Sequence, residues 1–464
     1  MKFENGKVKD IKIAYIGGGS RGWAWGLMSD LVSASDISGA VALYDVDYDA
    51  AKANEIIGNK FNNAKGAKSV WNYNVASSLE EAVKGANFIV ISILPGTFDE
   101  MQSDVHAPEE YGTYQSVGDT AGLGGIIRSL RCMPMFEEIG LAIKDYAPNA
   151  WVINYTNPMA LCVKTLYRVF PKIKAFGCCH EVFAVKKFLI KALNEIKGLN
   201  VDTDDHTLAK VNVVGVNHFT WFTSAKYQDY DLFEIYKEFA QKYKDTGVGQ
   251  NDTNWLNRMF ESKERVKFDL FLKYGYIAAA GDRHLAEFCP GTWYLNSPKT
   301  VEDWGFAITT VDFRKKYLQD KLETSKKLVS GLEEPEIKKT GEEGVDQIRA
   351  LLGLKDLVTN VNIPNVGQIP NLPLGAVVET NAVFRTDELT PIIAGNIPKN
   401  IYPLVAKAVG EQVSLDEAIA ERDLEKAFMV FSESNQLKVG QDKARELFNK
   451  MIDNTKEYLK DYFN

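Results

Sequence analysis

Cysteine is sparse in this chain, with five in 464 residues, at positions 132, 162, 178, 179 and 289. An odd number spread through a long sequence excludes the disulfide framework that staples small secreted domains, and leaves free thiols, any one of which could ligate a metal. Long apolar runs are missing as well. No window approaches the roughly 18 apolar residues needed to span a bilayer, and Met1–Asp10 is polar, without the apolar segment of a secretion signal. A cytoplasmic protein with no membrane partner is expected. Positive charge is in deficit, 54 Lys and Arg against 62 Asp and Glu for a net charge of −8. With no basic block to track a phosphate backbone, nucleic acid is excluded as a partner. Internal repeats and low-complexity tracts are absent too, which argues against a solenoid or a fibrous protein.

What is present is the composition of an ordinary globular protein, 45% hydrophobic and 25% charged. The length implies two domains. Ile11–Ile16 reads as a buried strand that runs into Gly17-Gly18-Gly19-Ser20-Arg21-Gly22, after which Trp23–Val32 has helical spacing. Val41–Tyr44, Phe88–Leu94, Trp151–Tyr155 and Ile173–Gly177 read as further strands separated by helices. Such alternation predicts an α/β fold with a Rossmann-type, doubly wound parallel sheet over residues 1–200. Beyond residue 200 the pattern changes to one strand-like run, Lys210–Val216, and long amphipathic helices, with polar loops near Thr246–Asn254 and Glu333–Glu343. Residues 201–464 are therefore expected to form a mixed α+β, helix-rich domain, with its last fifty residues helical and packed on the surface or on a partner subunit.

Gly17, Gly19 and Gly22 match the pattern G-x-G-x-x-G, where glycine permits a tight turn, close approach to a pyrophosphate and helix-on-strand packing. The pattern is weak alone, but here it follows a strand and opens a helix. Asp45 ends the next strand, where a carboxylate can accept from ribose hydroxyls and would repel a 2′-phosphate, so NAD is favoured over NADP. In parallel sheets the carboxyl ends of strands face the ligand crevice. That places Thr156-Asn157-Pro158 and Cys178-Cys179-His180-Glu181 at the site by topology.

Cys179 and His218 pair a thiol with an imidazole, types that suit Mn, Fe, Co, Ni or Zn, although a lone buried cysteine or a structural histidine is the commoner use of each. Asp119, in Ser116-Val117-Gly118-Asp119-Thr120, could equally cap a turn, as could Asn157 before Pro158. Tyr274-Gly275-Tyr276 and Gly281-Asp282-Arg283-His284 concentrate phenol, carboxylate, guanidinium and imidazole in a short stretch.

Together these residues resemble glycoside hydrolase family 4, NAD- and metal-dependent glycosidases that work by oxidation and elimination in place of the usual carboxylate pair. The resemblance covers nearly the whole chain, through Ile16–Ser20, Ile93-Leu94-Pro95-Gly96, Asn157-Pro158, Cys179–Val182, Gly215–His218, Asn362-Ile363-Pro364-Asn365, Asn371-Leu372-Pro373 and Val378-Glu379. Cys-His-Glu-Val at residues 179–182 and Gly-Asp-Arg-His-Leu-Ala-Glu-Phe at 281–288 look like the α-galacturonidase branch, whereas 6-phosphoglycosidases carry Cys-Asp-Met-Pro or Cys-Asn-Val-Pro.

The resemblance implies a second domain like that of lactate and malate dehydrogenases, a homodimer or homotetramer, and a small carbohydrate substrate. It implies NAD held by Gly17, Gly19, Ser20, Gly22, Asp45, Leu94 and Pro95, and Mn²⁺ held by Cys179 and His218. Asp282 is expected as the base at C2, with Tyr276 as the alternative, and His180 as the acid that assists the leaving oxygen. Asn157, Asp119 and His284 are expected at sugar hydroxyls, and Arg283 or Arg131 at a uronate carboxylate. An α-glucosidase, an α-glucuronidase, a 6-phosphoglycosidase and a metal-free 2-hydroxyacid dehydrogenase are the competing readings.

Overall fold

The computed structural model describes residues 1–249 and 262–463. A short hairpin of β1 (Lys2–Glu4) and β2 (Lys7–Ile16) opens the chain, followed by β3 (Ile37–Tyr44), β4 (Trp71–Val75), β5 (Phe88–Ile91), β6 (Trp151–Asn154) and β7 (Lys174–Gly177). The inner half of β2 and all of β5 and β6 are buried. Strands covered on both faces need continuous apolar runs, and Ile13-Ala14-Tyr15-Ile16 and Phe88-Ile89-Val90-Ile91 supply them.

Side by side the strands lie β4-β3-β2-β5-β6-β7, all parallel. Two successive windings thus run outward from β2, the arrangement of the Rossmann fold. The strand order reverses between β2 and β5, so the ligand crevice opens where Ile16 leads into Gly17 and Ile91 into Ser92.

The division expected at residue 200 is crossed by the sheet. β12 (Leu357–Pro364), β13 (Val377–Arg385) and β14 (Glu388–Pro391) return to it, with β12 antiparallel to β7 through Asn362 opposite Gly177. Sequence patterning missed these strands because buried Thr359, Asn360, Asn362, Glu379 and Thr380 break up their apolar character. One face of the sheet shares its core with C-terminal helices, Ile89, Ile127 and Leu130 packing with Leu415, Phe431 and Phe448. The last fifty residues are therefore integral to the first core.

A second sheet holds β8 (Lys210–Val216), β9 (Phe219–Tyr227), β10 (Tyr230–Asp231) and β11 (Ile277–Ala278). It packs beneath helices Leu232–Tyr243 and Arg265–Tyr274. The polar loop expected over Thr246–Asn254 leaves the described residues after Gly249. Among the described residues, no helix is long and apolar enough to cross a membrane.

Candidate active site

The turn after β2 explains two of its three fingerprint glycines by sterics. Gly17 has φ of 92°, and a Cβ there would fall 2.0 Å from the Ser92 carbonyl oxygen on the neighbouring strand end. A Cβ at Gly19 would meet Ala50 and the Asp45 carboxylate at 2.7 and 2.9 Å. Gly22 is different, with nothing within 4 Å of its would-be Cβ. It precedes helix Trp23–Ser33 without a side-chain cap, so the first N–H groups of that helix are left for a ligand.

Asp45 Oδ2 accepts from Gly19 N–H at 2.8 Å and Oδ1 from Asp47 N–H at 2.9 Å, which fixes the carboxylate at the turn with lone pairs to spare. Buried Asn54, which sequence reasoning missed, donates to the carbonyls of Gly18 and Ser20 at 2.7 and 2.9 Å. Ser20 N–H closes the turn on the Gly17 carbonyl. Across the crevice Leu94 is exposed and Pro95 buried, and Ile93 N–H is tied to Thr156 Oγ1 at 2.9 Å. A bare helix start, a turn open to backbone approach and a fixed carboxylate fit a dinucleotide.

The second half of the site forms where the two parts of the chain meet. Among the described residues, donor atoms of Asp119, His218 and His284 all lie within 4.8 Å of one another. His218 sits at the tip of the β8–β9 hairpin with φ of 63°, a left-handed backbone that histidine adopts more readily than most residues. Its ring lies 3.8 Å from that of His284, and Thr120 Oγ1 contacts its Nδ1 at 3.0 Å. Burial, then the neighbouring His284, push the His218 pKa down to about 3, and burial lowers His284. Burial alone would raise Asp119, but Arg128, His284, His218 and Arg314 outweigh it and hold the carboxylate well below its usual range. Two neutral imidazoles and an ionised carboxylate are in the protonation states a divalent ion requires, and they match the two-histidine, one-carboxylate set of many open metal sites.

Cys179, expected beside His218 on the ion, is not one of these three converging donors and is linked to them through Glu181. Its sulfur is buried next to the start of helix Glu181–Lys197, and burial followed by Glu379 and Glu181 drives its pKa up. Glu181 connects the thiol to the histidines: one carboxylate oxygen accepts from Gly281 N–H at 2.6 Å, the other is 3.8 Å from His284 Nε2. Beside Cys179, Asn360 donates to the Cys179 carbonyl and to Glu379. Glu379 is pushed up to about 7 by burial, and the adjacent amides of Asn217 and Asn362 bear on it without a well-aligned hydrogen bond. The polar atoms of Asn217 and Asn362, and Glu379 Oε2, are buried without partners among the described residues. Buried polar groups are seldom left so, and this cluster fits a polar ligand.

Other expected residues divide between site and scaffold. Asn157 follows β6 in the turn before helix Met159–Val169, with Oδ1 buried and unpartnered. Exposed His180 pairs with Glu342 at 2.8 Å, which raises its pKa, and lies 6.1 Å from the Trp23 ring. Arg283 stands in the field of Arg314, Glu181, Glu287 and Asp119.

Asp282 is a correction. It is fully buried, and its two oxygens accept from Val266 and Lys267 N–H at 3.1 Å, capping helix Arg265–Tyr274 from another segment, so it is closed to substrate. Arg131 is another. Its Nε donates to the Pro95 carbonyl at 2.9 Å and its two terminal nitrogens to Asp104, so this fully buried arginine anchors the crevice loop with its charge already matched. Tyr276 packs half-buried against the cluster of Phe219 and Trp221. Arg128, Arg314 and Glu287 were missed, because only the folded chain brings them to Asp119 and the histidines, whereas Glu181 lies in the strand-end cluster expected at the site.

Comparison with known proteins adds independent findings. The family model described as family 4 glycosyl hydrolase matches residues 12–195, and its C-terminal domain model matches residues 213–435. An alpha-galacturonidase of Thermoanaerobacterium saccharolyticum is 57% identical over 461 residues, covering 99% of this chain and 98% of that protein. The crystal structure of the glucosidase lplD of Bacillus subtilis superposes with a TM-score of 0.91 at 48% identity, covering 96% and 100% of the two chains. A 6-phospho-alpha-glucosidase from gut microorganisms, solved with NAD and Mn²⁺, shares the fold at 21% identity, with a TM-score of 0.78 and 97% and 99% coverage.

Proposed function

The chain belongs to glycosyl hydrolase family 4, and from that membership we propose that it is an NAD- and Mn²⁺-dependent α-galacturonidase that releases galacturonate from short oligogalacturonides. The observation that carries the reading is the convergence of Asp119, His218 and His284, joined through Glu181 to Cys179. The galacturonide specificity rests on the alpha-galacturonidase 57% identical over nearly the full length and on Cys179-His180-Glu181-Val182.

When bound, NAD supplies the acceptor and donor of the C3 hydride and Mn²⁺ the positive charge that polarises the oxidised sugar. The residues do the rest. Gly17 and Gly19 admit the pyrophosphate to the turn, the bare start of helix Trp23–Ser33 meets its charge, and Asp45 takes the ribose hydroxyls. His218, with His284, Asp119 and the Cys179 thiolate, would hold the divalent ion, and Asn157 Oδ1 accepts from a sugar hydroxyl. Oxidation at C3 acidifies the C2 proton. With Asp282 spent on a helix, Tyr276 is assigned to remove it. His180, its pKa raised by Glu342, protonates the departing C1 oxygen. Water then adds at C1, the proton returns to C2 and the hydride to C3, so no NADH accumulates.

A panel of α-galacturonides, α-glucuronides, α-galactosides, α-glucosides and 6-phosphoglucosides, with NAD and Mn²⁺ under reducing conditions, tests this. Turnover of the galacturonides, with deuterium from heavy water entering C2, is expected. Protium kept at C2, net NADH, or turnover confined to phosphorylated sugars would each overturn it. We further read the protein as a cytoplasmic homodimer or homotetramer. Its five free, buried cysteines suit a reducing compartment, and light scattering in solution decides the assembly.

A further inference from the structure

Several buried arginines and carboxylates crowd around Asp119. Arg131 is matched by Asp104, but Arg128 and Arg314 both act on Asp119, and Arg283 acts on it as well. Arg128 is only 5% exposed and stands between two parts of the site. Its Nε donates at 3.0 Å to the carbonyl of Asn157, in the turn after β6, and its charge bears on Asp119 in the histidine cluster. Its Nη1 is buried with no partner among the described residues, and so is Nε of Arg314. Asn157 Oδ1, beside Arg128, is likewise unmatched. A buried guanidinium N–H left unpaired is costly, and the cost is recovered when an anion arrives.

The geometry points to Arg128, with Arg314, as the receptor for the C6 carboxylate of the sugar, their unpartnered N–H groups donating to its two oxygens. A planar carboxylate suits guanidinium donors, and in a desolvated pocket such charge-assisted hydrogen bonds are the strong ones. The specificity for a uronic acid is thereby placed on helices Gly122–Tyr146 and Val311–Ser330. It no longer depends on Arg131, which is consumed by its ion pair. The inference rests on the galacturonidase reading and names how that site recognises its substrate class.

Arg128→Lys, Arg128→Gln and Arg314→Gln, each loaded with NAD and Mn²⁺, are assayed on matched aryl α-galacturonide, α-galactoside and α-galactoside 6-phosphate. Calorimetry of D-galacturonate against D-galactose provides a readout apart from turnover. The ratio of kcat/KM for galacturonide over galactoside is expected to fall about 100-fold in Arg128→Gln, chiefly through KM, with a smaller fall in Arg314→Gln. Arg128→Lys, which keeps the charge but loses the planar fork, should fall in between. Galacturonate affinity should drop in the same order, with melting temperatures near that of the parent. Equal losses on galacturonide and galactoside would make Arg128 a support for Asn157 and overturn the assignment, as would unchanged galacturonate binding. A parent enzyme that takes the 6-phosphate or neutral sugar and ignores galacturonide would fail the functional reading itself, a result visible before any variant is made.

Discussion

In the dinucleotide crevice the contacts that shape the site are made between neighbouring strand ends, with Gly19 meeting Asp45 across 26 positions and Asn54 holding Gly18 across 36. At the histidine cluster they span far more chain, Thr120 reaching His218 across 98 positions and Glu181 reaching Gly281 across 100. The first region is a single winding of one sheet and is complete once that sheet forms. The second exists only when the β8–β9 hairpin, the segment around Asp119 and helix Asp282–Phe288 dock together. Damage to the crevice should therefore register as lost cofactor affinity and stability. Damage to the junction should register as lost chemistry in a folded protein.

The largest effect expected is at the junction. His218→Ala removes the imidazole common to the converging set, and kcat/KM should fall by about 10³-fold or more with loss of Mn²⁺ binding, measured by titrating metal into chelator-treated enzyme. Asp119→Asn and His284→Asn should cost less, about 10- to 100-fold, since each leaves His218, the donor expected on the ion, in place. Cys179→Ser is the sharpest arm, because the thiol stands outside the converging atoms yet shares Glu181 with them. A loss as large as that of His218→Ala brings the sulfur onto the ion; unchanged Mn²⁺ affinity leaves the ion to the other three residues. NAD affinity should remain near that of the parent in all of these variants, and its collapse would break the separation between the two regions.

Within the crevice the comparison sharpens to two glycines of one motif. Gly17→Ala would force a Cβ against the Ser92 carbonyl in a left-handed backbone, so a loss of about 3 kcal/mol in stability is expected, with NAD binding weakened in parallel. Gly22→Ala meets open space and has no positive φ, and its stability should stay within about 0.5 kcal/mol of the parent. If Gly22→Ala folds normally but binds NAD poorly, the third glycine is kept for the ligand's approach. If both variants behave alike, the steric account of the turn is wrong.

Legibility in the sequence follows the same division. The glycine turn, its strand, Asp45 and the polar strand ends were readable because a parallel sheet carries its pattern in short apolar runs, and its ligands sit at the ends of those runs. The junction was readable only as a collection of reactive side chains. Asp282 and His284 are two residues apart in one helix start, yet the first is turned inward to cap Arg265–Tyr274 while the second faces His218. Arg128 and Arg131 are three apart in one helix, and only Asp104, from another segment, decides which of them is consumed. Residue type and spacing carry no information about such partners, which is why the buried commitments of Asp282 and Arg131 were not legible. The strands at Leu357–Pro364 and Val377–Arg385 were hidden for a related reason, their buried polar residues serving the site at the expense of the apolar pattern.

Glu287 offers the smallest and most specific probe of the docked junction. It is buried and accepts from Val117 and Gly118 N–H at 2.7 and 2.8 Å, joining helix Asp282–Phe288 to the segment that carries Asp119. Burial pushes its pKa up to about 7 against those hydrogen bonds, with Asp119 adding to the rise. A carboxyl whose pKa is raised on folding binds a proton in the native state that the unfolded chain has already released, so stability declines as pH climbs from the ordinary carboxyl range to about 7 and stays reduced above it. Glu379, pushed up to about 7 by burial, contributes a second share over the same window. Glu287→Gln keeps an acceptor for the two N–H groups but cannot ionise. Its melting temperature should match the parent near pH 5 and exceed it at pH 8 by the equivalent of about 1 kcal/mol, with a shallower slope between, part of the slope remaining because Glu379 still titrates. An unaltered slope would mean that Glu287 is ionised in the native state at neutral pH, and that the two parts of the chain are held together at Asp119 by a charged contact instead of a neutral one.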